Sequence, residues 1–249
     1  MGSMCETSQI QISDDDLVDV MEKYEVRNAA KKKSHGIKLD LDVENKNHKD
    51  FMEYLIRTNS QLPELNFLSI STPDEGSLAQ NFLQTCVHLP ITEFELRNTS
   101  GSLGTNFSSF REILKRILPI VSKRIFLNNF AFSKEKNDLK EIILSSKNTK
   151  TLEFYRCRLN YTNLDFGKVK FKIKKLGLRL CGHRRIEDWS IKTGTEEYTM
   201  PHAMVYGISQ SSMLKSLQQI DLRDNGMSSY AEVELKSIPK MENMKFIIF

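Results

Sequence analysis

Short bursts of alternating apolar and polar residues return along the chain at a nearly even spacing. The clearest is Leu217 to Gly226, Leu-Gln-Gln-Ile-Asp-Leu-Arg-Asp-Asn-Gly, of the form LxxIxLxxN. A period of two marks a strand with one buried face, and Asn-Gly marks the turn that ends it. Gly36 to Val43 shows the same period, and sliding the pattern forward finds a central apolar anchor in each of eight stretches. The anchors are Leu39, Leu65, Phe94, Ile125, Leu152, Leu176, Ile220 and Met244, separated by 26, 29, 31, 27, 24, 44 and 24 residues.

Between anchors the period becomes that of a helix. Phe51, Leu55 and Ile56 share one side of 47–57, and Leu78, Phe82 and Leu83 one side of 76–86. Phe110, Ile113, Leu114 and Ile117 do so in 108–118, as do Leu139, Ile142 and Ile143 in 138–145. Each stretch predicts an amphipathic helix laid against the strands. Pro90 and Pro119 stand where such helices have ended, as a residue without an amide hydrogen requires. The stretch 163–173 is too short and too β-rich for a full helix and predicts an extended segment or one helical turn. Ahead of the first strand, Ser13 and three aspartates precede Leu17, Val18, Val20, Met21 and Tyr24, the pattern of a capped helix with an acidic first turn.

Units of this kind, mostly in or near the repeat window of about 20 to 29 residues, resemble leucine-rich-repeat proteins of the irregular, ribonuclease-inhibitor-like type. The resemblance covers residues 36–249. Leu217 to Gly226 is a good match; TKTLEFYRC and IKKLGLRLC carry Cys157 and Cys181 at the Asn position, and other units end in Ile70, Thr99, Phe130 and Phe249. The resemblance implies an α/β leucine-rich-repeat solenoid: a curved parallel sheet of about eight strands, helices on the convex side and an N-terminal helical cap. The central apolar pair of each strand would face the core, and the Asn or Cys would bond neighbouring loop backbone. It also implies a non-catalytic protein-binding module or scaffold subunit.

Residues 1–3 read as a cloning remnant, 4–35 as the cap, and 36–249 as one repeat domain with an insertion near 182–212. That insertion fills the 44-residue interval and holds Cys181-Gly182-His183-Arg184-Arg185, the only tryptophan, Trp189, and helical spacing over 201–210. A complete further repeat is the alternative reading.

Composition narrows the class. Hydrophobic residues make up 39% and charged ones 27%, which fits a packed, soluble chain, and no linker divides it. The net charge of +4 is a small difference between 36 basic and 32 acidic residues, unlike the concentrated footprint of most nucleic-acid binders. Cys5, Cys86, Cys157 and Cys181 have no CxxC spacing, so neither a disulfide framework nor a zinc site is expected, and a reducing intracellular compartment, cytoplasmic or nuclear, fits best. No apolar run has the length of a membrane span or signal peptide. Lys31 to Lys33 read as the solvated end of the first helix rather than a targeting element. No HExxH, nucleophile elbow or GxxxxGK loop exists, and Gly101 to Gly104 reads as a loop. Cys181 lies near His183 but is better explained by its turn position. No catalysis, cofactor or metal is expected.

Side chains alternate across a strand, so the residues flanking the apolar pair stand on the opposite, concave face. In the second unit these are Glu64, Asn66 and Leu68. Early units carry Asp40, Asp42, Glu64, Glu93 and Glu95, later ones carry Arg124, Lys175, Arg179 and Arg223, and Phe126 and Tyr155 lie between. Aromatics among arginines have the composition of a protein-binding patch. The expected partner-binding residues are Glu95, Arg97, Phe126, Glu153, Tyr155, Arg179 and Arg223; a solvated face of cross-strand charge pairs is the structural alternative. A second functional reading is nucleic-acid contact through 168–185, where Lys168, Lys170, Lys172, Lys174 and Lys175 cluster with Arg179, Arg184 and Arg185 around Phe171. The same alternation describes an edge strand guarded by lysines. Phe246 to Phe249 is an apolar strand with no polar cap behind it, which predicts either more chain or association of this edge with a second chain.

Overall fold

The structure, a computed structural model, describes residues 10–11, 13–26, 37–73, 76–100, 105–133, 136–159, 164–181, 191–193, 196–198, 200–227 and 231–248. Lys31 to Lys33, Gly101 to Gly104, the run 182–185 and Trp189 lie outside the described residues. A short strand β1 (Ile10–Gln11) precedes α1 (Asp14–Lys23). The Asp16 amide donates to Ser13 Oγ at 3.1 Å, so the cap predicted from Ser13 is made, and Leu17 and Met21 are buried.

One sheet of eight parallel strands dominates. Its members are β2 (Ile37–Asp42), β4 (Leu65–Thr72), β5 (Ile91–Asn98), β7 (Val121–Asn128), β9 (Thr151–Tyr155), β10 (Lys175–Arg179), β13 (Gln219–Asp221) and β14 (Lys245–Ile247), lying side by side in chain order. Two-residue strands β3 (Ser60–Gln61), β6 (Thr105–Asn106) and β8 (Phe130–Ala131) add the small parallel pairs β1–β3 and β6–β8. A separate antiparallel pair joins β11 (Ile191–Thr193) to β12 (Glu196–Tyr198). The α-helices after α1 are α2 (Lys46–Arg57), α3 (Ser77–Cys86), α4 (Arg111–Ile117), α5 (Asp138–Ser145), α6 (Met200–Ser209) and α7 (Ala231–Ser237). The fold class is therefore α/β. Among the described residues, no helix is long and apolar enough to cross a membrane.

Register fixes the repeating position. Leu39, Leu68, Phe94, Ile125, Leu152, Leu176, Ile220 and Phe246 stand opposite one another across the whole sheet. Six of the eight anchors read from the sequence are these residues. Leu65 and Met244 are not. Leu65 begins β4 and pairs with Ile37, and a bulge between Ile37 and Lys38 shifts the register, so Leu68 faces the core. Glu64, Asn66 and Leu68 are thereby displaced from the outer face by Phe67, Ser69 and Ser71. At the C-terminal end Phe246, two residues beyond Met244, meets Ile220.

Strand anchors and helix faces form one core. Phe51, Met52 and Leu55 of α2, Phe82 and Leu83 of α3, Leu114 and Ile117 of α4, and Leu139, Ile142 and Ile143 of α5 are buried with them. Each such side chain contributes about 1.5–3 kcal/mol through removal from water. The helix expected over 108–118 is interrupted: a 3-10 turn over Phe107–Ser109 precedes α4, and another over Leu118–Ile120 contains Pro119. Residues 168–174 form neither helix nor strand, so the lysine-guarded edge strand expected there is absent; the neighbouring β10 lies inside the sheet, between β9 and β13.

The turns leaving four successive strands are alike. Asn129, Arg156, Leu180 and Asp224 have φ of 65, 53, 51 and 65°, each four residues beyond its anchor. This left-handed conformation aims the next residue inward. At that next position Cys157 Sγ donates to Leu127 O at 3.4 Å, Cys181 Sγ to Phe154 O at 3.5 Å, and Asn225 Nδ2 to Leu178 O at 2.6 Å. Each acceptor is the carbonyl two residues beyond the preceding strand's anchor. Phe130 interrupts the series, and Asn129 takes over its task, donating to Asn98 O and Ser100 O.

Candidate functional site

On the face turned away from the core, in-register rows run across the strands. One reads Asp40, Ser69, Glu95, Phe126, Glu153, Gly177 and Asp221; another reads Asp42, Ser71, Arg97, Asn128, Tyr155 and Arg179. Neighbouring strands are about 4.8 Å apart, so side chains in one row touch. Six of the seven expected site residues, Glu95, Arg97, Phe126, Glu153, Tyr155 and Arg179, meet there on the strands from β5 to β10. Arg223 follows β13 and lies at the far end.

Arg124 ties this face together. Its guanidinium donates to Glu95 Oε1 and, at 2.6 Å, to Glu153 Oε2, and it lies 5.1 Å from the Phe126 ring centre. Glu95 also accepts from Arg97, and Glu153 from Lys175 at 3.1 Å. Burial draws the Arg124 pKa down, but the Glu153 and Glu95 carboxylates outweigh it and the net shift is upward. Glu95 is only 5% exposed, so its charge serves these two guanidiniums. Gly177 leaves room for Glu153: a Cβ there would stand 3.0 Å from Glu153 Cγ, so any larger residue would push that side chain aside by a few tenths of an ångström.

The rings complete the arrangement. Phe126 and Tyr155 stack with centroids 6.3 Å apart and planes 25° from parallel. Arg179 lies 5.6 Å from the Tyr155 ring centre, giving the sequence Arg124, Phe126, Tyr155, Arg179 across three strands. Arg179 also reaches Asp224 at 3.3 Å. Asn128 Oδ1 and Arg179 Nε, in the row on either side of Tyr155, have no hydrogen-bond partner among the described residues. Further along, Arg223 holds the fully buried Asp221 with two bonds of 2.9 and 2.7 Å. Burial alone would raise the Asp221 pKa; the Arg223 hydrogen bonds and the Lys175 charge reverse this and leave it lowered.

Arg124, Lys175 and Asp221 belong to the network but were not among the expected site residues, although strand alternation places all three on this face. Asp224 comes from the turn after β13, where alternation has no say. The alternative of cross-strand charge pairs is thus met by the same residues.

The three cysteines among the described residues are not placed for nucleophilic chemistry. Cys86, Cys157 and Cys181 are buried free thiols. Burial pushes Cys86 and Cys157 up to about 12 and Cys181 well above the usual thiol value. Among the described residues, no three His, Cys, Asp or Glu side chains gather as a metal site. No protein-family model, curated protein or solved structure matches the chain.

Proposed function

We propose that the chain is a leucine-rich-repeat-type solenoid that recognises a protein partner, without catalysis, through the face holding Phe126 and Tyr155. The observation that carries this reading is the stacked, half-buried ring pair between two guanidiniums. Aromatic and arginine side chains set rigidly at the centre of a broad face are the usual anchors of protein interfaces. The repeat reading is supported by anchors aligned across eight strands and by the recurring left-handed turn with its inward Asn or Cys.

The test is affinity capture from the source cell with wild type and with Phe126→Ala/Tyr155→Ala. A protein retained by the first and lost by the second, at unchanged melting temperature, is the expected result. Equal retention by both moves recognition away from this face.

A further inference from the structure

The lysines left outside the sheet-face network are gathered by the fold. Lys150 N donates to Lys123 O at 3.2 Å, and Lys174 N to Lys150 O at 2.8 Å, so Lys123 near the start of β7 lies beside Lys150 and Lys174, which immediately precede β9 and β10. Behind them Lys172 N donates to Lys147 O at 2.7 Å, which adds a second tier. Residues 168–174 continue it: Phe171 and Ile173 are buried, and Lys168, Lys170, Lys172 and Lys174 alternate with them into solvent. Lys175 takes no part, because it turns to Glu153 on the sheet face.

This row is basic and, apart from Lys123, forms no ion pair among the described residues. From 147 to 175 the chain has nine Lys or Arg and only two acids, Glu153 and Asp165. Lys123 reaches Glu93 at 2.5 Å, but Lys147, Lys150, Lys170, Lys172 and Lys174 form no ion pair among the described residues. The even mixture of charge along the whole sequence hides this local excess. Protection of an edge strand does not explain it either, since no edge strand exists here.

The composition of the row selects its occupant. Phe171 is buried against Phe166, with ring centres 5.1 Å apart, so it offers no ring to stack on a base. A membrane-surface site inserts apolar side chains beside its lysines, and a protein interface needs buried aromatic anchors; this row presents neither. Closely spaced ammonium groups alone suit repeated phosphates, bound without reading sequence. We propose that the row from Lys123 and Lys147 to Lys174 is a docking strip for the phosphodiester backbone of duplex nucleic acid, separate from the sheet face.

The test uses fluorescence anisotropy of the full chain with a labelled 20-base-pair duplex across a salt series. Each lysine–phosphate contact contributes about −0.9 to the slope of log K against log salt, so Lys150→Glu/Lys172→Glu/Lys174→Glu should make the slope shallower by about 2.7. Affinity at moderate salt should fall at least ~10-fold. Lys46→Glu/Lys49→Glu/Lys236→Glu carries the same change in net charge on other exposed surfaces and should bind within ~3-fold of wild type. If the first triple variant does not fold, the Lys→Gln version at the same three positions should still lower affinity and slope. Absence of salt-dependent duplex binding by wild type, or equal loss in both triple variants, overturns the proposal. So does tighter, row-dependent binding to polyglutamate or to phosphatidylserine vesicles than to the duplex.

Discussion

Replacing Asn225 by Ala probes the turn that recurs along the sheet. Asn225 is 8% exposed, accepts from the Cys181 amide at 2.8 Å and donates to Leu178 O and Leu222 O, each at 2.6 Å. Alanine leaves the buried Cys181 amide without that acceptor, at a cost of about 1–3 kcal/mol, and removes two bonds contributing about 0.5–1.5 kcal/mol each. With partial relaxation the loss should be about 3 kcal/mol, or about 6–12 °C in melting temperature for a chain of this size. Asn225→Cys supplies the side chain already used at Cys157 and Cys181, whose single thiol bond to the preceding strand is kept, so it should lose about half as much. Thermal melts followed by circular dichroism, with guanidinium titrations of the same proteins, measure both. A melting temperature within about 2 °C of wild type for Asn225→Ala would refute the energetic reasoning. Equal losses for Ala and Cys would refute the equivalence of the three turns.

Two other perturbations address the charge network and the thiols. Arg124→Met keeps the aliphatic bulk but strips one partner each from Glu95 and Glu153; because each carboxylate retains a second cation, the loss should be about 2–3 kcal/mol in urea unfolding at neutral pH, and a change below ~0.5 kcal/mol would reduce the network to screened surface pairs. The raised Cys86, Cys157 and Cys181 pKa values mean that stability due to their neutral thiols is complete below the unfolded value of about 8.5 and is lost as pH rises toward the folded values. Each thiol should steepen the fall by about 1.4 kcal/mol per pH unit within that window, so Cys86→Ala should flatten the alkaline limb of the urea-unfolding free energy plotted against pH by that amount, and an unchanged profile would contradict it.

Most strand positions are legible because a period of two needs only local alternation. The phase of β4 is not, because Leu65 and Leu68 are both apolar and the bulge beside Ile37 decides between them. That choice sends Phe67 to the outer face and takes Leu68 off it, so one local irregularity rewrites a whole row position. The helix over Asp138–Ser145 is fully legible from its spacing. The region 107–120 is not, since Phe107 and Phe110 turn toward Phe130, with centroids 5.9 and 6.0 Å away, and this long-range aromatic cluster accompanies a broken helix. On the site face, alternation lists the residues but not their pairings. That Glu95 is covered while the rings remain half-buried follows from the reach of Arg97 and Arg124, which spacing alone does not encode.

The two basic regions of the molecule differ in how their charge is held, and that difference separates their chemistry. On the sheet face Glu95, Glu153 and Asp221 already accept from Arg97, Arg124, Lys175 and Arg223. A partner meeting this face gains little by adding counter-charge, because each guanidinium would have to leave a well-placed carboxylate. The network instead locks the geometry around Phe126 and Tyr155, so affinity there should come from ring burial in a pre-organised setting and respond weakly to salt. Apart from Lys123, which reaches Glu93, the lysines along the strand starts have no such partners among the described residues and no rings, so any affinity there must come from long-range charge and fade steeply with salt. The salt sensitivity of any binding observed therefore distinguishes the two surfaces.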